Sequence, residues 1–162
     1  MKTRSILFTL LGLALFSGCT SSTTVEKEVR GLENSTYNII KTSQYPVDTS
    51  GEKEFLVYHS DIQSEKEAYV AEYERLTDEV APEFDGSMII AKSGEKRNGG
   101  YKISVTNVVD AGRYTEVTIL LESPGAECMA TMALTNPYVV VELPNDHKEV
   151  KFVEKSITVN CD

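Results

Sequence analysis

Downstream of about residue 53, apolar and polar residues alternate with period two, the pattern of strands that turn one face to a core. Phe55, Val57 and His59 interleave with Leu56 and Tyr58. Ser87–Lys92 reads as a second strand, and Tyr101–Thr106 as a third, with Tyr101, Ile103 and Val105 on one face. Asp110-Ala-Gly-Arg113 is a hairpin turn into Tyr114–Glu122, where Thr115, Val117, Ile119 and Leu121 share a side. Ser123-Pro-Gly125 turns the chain into an expected strand over Cys128–Thr135. Asn136-Pro137 then precedes Tyr138–Leu143, and Pro144-Asn-Asp146 precedes a last strand around Val150–Val159. Tyr37–Ile40 is a candidate further strand.

One stretch breaks the alternation. Tyr69, Tyr73, Leu76 and Val80 recur at helical spacing as one apolar stripe, behind a Ser64-Glu-Lys-Glu67 capping box and ahead of Pro82. The glutamates at 65, 67, 72, 74 and 79 then form its solvated face. Short strands and tight turns around one helix predict an α+β fold: a mainly antiparallel meander, sandwich or barrel-like, with an amphipathic helix packed on it.

Composition narrows the classes. The 162 residues are 41% hydrophobic and 25% charged, as in a globular chain of one ordinary domain. The balance of 16 Lys+Arg against 25 Asp+Glu gives a net charge of −9, which argues against a nucleic-acid partner.

The N-terminus stands apart from the fold. Met1-Lys-Thr-Arg4 is basic, Ile6–Phe16 is apolar, and Ser17-Gly18 are small, so residues 1–18 read as a signal peptide. The apolar run falls short of the roughly 20 residues of a spanning helix. Leu15-Phe-Ser-Gly-Cys19 resembles the lipobox of bacterial lipoproteins, which implies acylation of Cys19 and a membrane held through its lipid. Thr20 after the cysteine, by resemblance to sorted lipoproteins, implies a cell-envelope protein anchored in the outer membrane. Residues 19–31 are then a flexible tether spanning roughly 20 Å, and residues 32–162 a single globular domain.

No catalytic constellation can be named. Gly94-Glu-Lys-Arg-Asn-Gly99 has the glycine spacing of a phosphate loop, but Gly100 and Tyr101 stand where Lys and Ser or Thr are needed. His59-Ser-Asp61 and His147 lack partners at chelating spacing, and Asp85-Gly86 lacks the other oxygens of a calcium loop. No metal, cofactor or small-molecule substrate is implied, and the expectation is a protein that is not an enzyme. Cys128 and Cys161 either pair, closing a loop worth roughly 3–4 kcal/mol, or stay free.

Two segments stand out as partner-binding candidates. Ser93-Gly-Glu-Lys-Arg-Asn-Gly-Gly100 is a glycine-rich loop that delivers Tyr101, and Leu134-Thr-Asn-Pro-Tyr138 is a rigid turn opening a strand. Gly99, Gly100, Tyr101, Pro137 and Tyr138 are the named residues; the alternative is a plain hairpin tip and a plain turn. The sequences Met88–Ile103 and Leu134–Pro144 resemble the C-terminal domain of the protease-complex subunit PrcB, over about residues 85–153. That resemblance implies a non-catalytic, lipid-anchored accessory module whose partner is an envelope protein such as a protease or its complex. Gly99-Gly-Tyr101 also resembles the loop ending of chagasin-like protease inhibitors. A purely structural envelope lipoprotein is the third reading.

Overall fold

The computed structural model describes residues 33–161. Cys19, the signal peptide and the whole of the tether lie outside the described residues. Eight strands run in chain order as β1 (Glu33–Asn34), β2 (Asn38–Ser43), β3 (Lys53–His59), β4 (Gly86–Ser93), β5 (Lys102–Asp110), β6 (Tyr114–Pro124), β7 (Tyr138–Pro144) and β8 (Glu149–Val159). Among the described residues one helix, α1 (Gln63–Thr77), falls between β3 and β4.

The strands form two four-stranded sheets, ordered β2-β7-β4-β3 and β1-β5-β6-β8. They pack face to face, and α1 covers the outer face of the first, so the fold is α+β in three layers. The middle layer explains the apolar runs Met88-Ile-Ile-Ala91 and Val139-Val-Val141. Ile89, Ala91, Val139, Val141 and Leu143 point into the sandwich, against Ile103, Val105, Val117 and Ile119. Met88, Ile90, Tyr138 and Val140 point the other way, against Tyr69, Tyr73 and Leu76 of α1. Strands buried on both faces have no polar face to alternate with.

The topology differs from a meander. β4 lies between β3 and β7, with antiparallel pairing throughout that sheet. β6 pairs antiparallel with β5 but parallel with β8. Parallel neighbours need a crossover, and here the chain makes it by laying β7 into the opposite sheet. No barrel closes; the architecture is a sandwich.

The helix departs from its expected ends. Ile62 occupies the N-cap position without a side-chain cap, so the Ser64–Glu67 box does not form. Glu65 instead reaches back to β3 and accepts the His59 N–H at 2.8 Å. The helix stops at Asp78, in the left-handed region at φ 56°, whose N–H donates to the Glu74 carbonyl. Val80 therefore leaves the apolar stripe and is 85% exposed, and Phe84 packs 5.0 Å from the Tyr69 ring instead.

Nor are the helix glutamates all solvated. Lys92 of β4 is buried on the helix side and bridges Glu72 at 2.7 Å and Glu54 of β3 at 2.9 Å. Arg75 joins the same Glu72 at 2.7 Å and also pairs with Asp48. Burial alone would raise the Glu72 carboxyl; hydrogen bonds from Arg75 and Lys92 outweigh it and hold the group below its ordinary value. For Lys92, burial pushes downward, and the Glu72 and Glu54 carboxylates reverse it and keep the ammonium raised.

Candidate functional site

Both candidate segments lie at one pole of the sandwich, where β4, β6 and β8 end and β5 and β7 begin. Residues 94–101 join β4 to β5, and residues 125–137 cross from β6 to β7. Lys96 and Thr135 exchange backbone hydrogen bonds at 2.7 and 2.9 Å. The Gly99 N–H donates to the Thr131 carbonyl at 2.8 Å, and the Thr135 hydroxyl to the Asn98 carbonyl at 3.0 Å. A third segment, between β2 and β3, locks onto them: Asn136 donates its backbone N–H to Gln44 and its amide nitrogen to the Ser50 carbonyl. The juxtaposition of the two segments is thus built from backbone hydrogen bonds.

The glycines are selected by close approach. A Cβ on Gly99 would collide with the Thr131 side chain, and one on Gly100, which adopts φ +88°, would press on the Pro124 ring at 3.2 Å. Gly99 is consequently buried and its N–H committed, so Gly99-Gly100 braces the pole rather than forming a free loop tip. Tyr101 is half-buried under the Lys96 ammonium, 5.6 Å from its ring centre. Beside it a cleft of about 340 Å³ opens between the sheets, lined by Lys53, Lys96, Lys102, Leu121, Glu122 and Ser156 among others. Glu154 of β8 holds Lys53 at 2.7 Å, tying the two sheets together at that edge.

Pro137 and Tyr138 are placed differently from Tyr101. Both are buried, and Tyr138 is 2% exposed in the layer between its sheet and α1. Because β7 is covered on both faces, Tyr138 is a core residue and offers a partner nothing. Of the five named residues, only Gly100 and Tyr101 reach the surface.

The expected strand over Cys128–Thr135 is absent, and an irregular segment takes its place. The chain must leave one sheet and enter the other, so it passes over the end of the sandwich and pairs with neither ladder. Cys128 and Cys161 are joined in a disulfide, with their Cα atoms 5.1 Å apart. The bond fixes the start of this crossing to the residues after β8, next to the Gly125 N–H to Val159 carbonyl hydrogen bond at 2.8 Å.

Sequence reasoning missed the exposed apolar side chains of this crossing. Met129, Met132 and Leu134 are 104%, 92% and 53% exposed, and Tyr45 from the β2–β3 segment is 55% exposed. The available signal was the three-residue spacing of Met129 and Met132, which fits no strand face.

Catalytic chemistry finds little support in the described residues. The structure does bring a serine and a histidine together: Ser87 Oγ lies 2.8 Å from His59 Nδ1. Ser87, however, is fully buried and its hydroxyl donates to the Asp146 carbonyl at 2.5 Å, so its proton is already committed. His147 lies 3.5 Å from Asp61 and 4.0 Å from Asp85 at the opposite pole, all three side chains being exposed. Among the described residues no group of three or more His, Cys, Asp or Glu is placed to hold a metal ion.

No curated protein and no solved structure matches the chain. A family model does match, and over a narrower range than the 85–153 expected. Residues 87–144, the strands β4 to β7 with both segments of the pole, match the model described as PrcB C-terminal, so that part of the chain is similar to a PrcB C-terminal domain.

Proposed function

We propose that this chain is a non-catalytic envelope lipoprotein, anchored through acylated Cys19, whose domain serves as an accessory module of a protease complex. The observation that carries the reading is the family match over residues 87–144, which includes both candidate segments of the interlocked pole. A pole braced by three segments and a disulfide offers a partner a surface that loses little freedom on binding. Such pre-organisation favours docking over a merely structural role.

Two measurements on one strain test it. Metabolic labelling with a palmitate analogue is expected to mark the chain and to fail for Cys19→Ser. Affinity capture from a detergent-solubilised envelope is expected to retain a protease, with loss of retention in a Gly100→Asp, Tyr101→Ala variant whose circular dichroism is unchanged. An unlabelled chain sinks the lipoprotein half, and capture without any protease sinks the accessory half.

A further inference from the structure

Ordering an irregular segment costs about 1–2 kcal/mol per residue, and burial of its apolar side chains is the usual compensation. The β6–β7 crossing is ordered without that compensation, because Met129 and Met132 stand wholly in water. Cys128–Thr131 is pinned at both ends and free between them. Cys128 is held by the disulfide to Cys161. Thr131 is held by the Gly99 N–H at 2.8 Å, with the Tyr45 hydroxyl 3.4 Å from its side chain. Neither Met129 nor Ala130 has a backbone hydrogen bond to another described residue.

A short braced segment with unpaired backbone groups and one long apolar side chain at full exposure is what a protease groove accepts. The groove supplies backbone partners by strand-like pairing, and its primary pocket takes the side chain. Methionine suits an apolar pocket, since it is unbranched and adapts its shape. The geometry points to Cys128–Thr131 as a substrate-like docking segment whose Met129 enters the primary pocket of a protease in which that pocket is apolar, as it is in chymotrypsin and subtilisin. The choice of a protease rests on the accessory-module reading above. A lipid surface is the poorer occupant: Glu127 adjoins the segment, and the chain carries a net charge of −9.

The full chain, purified in detergent, is titrated against chymotrypsin, subtilisin and trypsin with small chromogenic substrates. Competitive inhibition of the first two is expected, with little of trypsin. Met129→Asp should weaken inhibition of both by at least about 30-fold, as expected for loss of a central anchor. Met129→Arg should transfer inhibition to trypsin, whose primary pocket is acidic. Circular dichroism and a thiol titration verify that both variants keep the fold and the disulfide. Absence of inhibition at micromolar excess, inhibition indifferent to Met129→Asp, or prompt cleavage after Met129 overturns the proposal. So does binding of the Cys19→Ser chain to phosphatidylethanolamine–phosphatidylglycerol vesicles that Met129→Asp abolishes. Should Met129→Asp still capture an envelope protease, this assignment falls and the accessory reading stands. Inhibition of the probes with no protease captured from the envelope gives the reverse.

Discussion

The helix-covered face and the looped pole treat polarity in opposite ways. Under α1 a lysine is taken inside: Lys92 is 6% exposed and bridges two carboxylates. At the pole, methionines are left outside. The buried charge has an account within the fold, because Glu72, Glu54 and Arg75 complete it and tie helix to sheet. The exposed methionines have none, since Met129 and Met132 give their side chains almost wholly to solvent among the described residues. An unpaired apolar group held in place by the rest of the molecule is therefore the better pointer to a partner.

Exchanging residues between the regions sharpens the contrast. Tyr138→Ala should cost about 3–5 kcal/mol in urea unfolding, as for other buried aromatics, while Tyr101→Ala should cost under about 1 kcal/mol. Similar losses for both would erase the distinction drawn between core and surface tyrosine. Replacing Cys128 and Cys161 together by Ser should cost about 3–4 kcal/mol by the chain-entropy model for a 33-residue separation, read as a lower urea midpoint.

The ion network gives a pH signature. Glu72 sits below its ordinary value in the folded state, so its stabilisation is complete above the unfolded value of about 4.3 and fades as pH falls through the lower folded value. Glu72→Gln should cost about 1–3 kcal/mol at neutral pH and flatten the acid limb of the stability curve. An acid limb as steep as in the parent would show that the network contributes little. Smallest of all, Met129→Ser with Met132→Ser should change stability by no more than about 0.5 kcal/mol. A larger loss would mean that these side chains support the fold after all.

Much of the fold was legible because burial writes itself into spacing. Thr115, Val117, Ile119 and Leu121 alternate since β6 has one dry face, and Tyr69, Tyr73 and Leu76 follow the turn of a helix with one dry side. What escaped was set by partners distant in sequence. The parallel neighbour of β6 comes from a crossover that no local pattern encodes. Glu72 looks like any surface glutamate until Lys92 is placed opposite it. At the pole, the glycines signal positive φ and close approach, and Gly100 takes φ +88° while Gly99 admits Thr131; that Thr131 and Pro124 are the neighbours is set by the fold. Met129 was hidden by a reading of Cys128–Thr135 as a strand, where an apolar residue would have been unremarked core.

The parallel ladder of β6 and β8 also fixes an order in time. The β5–β6 hairpin closes locally around Ala111–Arg113, within reach of the fast steps of folding. β8 meets β6 across the whole intervening crossing and β7, a search over non-local contacts that is intrinsically slow. While it lasts, one edge of β6 stands open beside Val117 and Ile119. The bond from Cys128 to Cys161 brings the far end of β8 to the far end of β6, where Val159 meets Pro124. An oxidised chain therefore starts the search with its ends already together, and the disulfide shortens the interval during which that edge is open to a stranger.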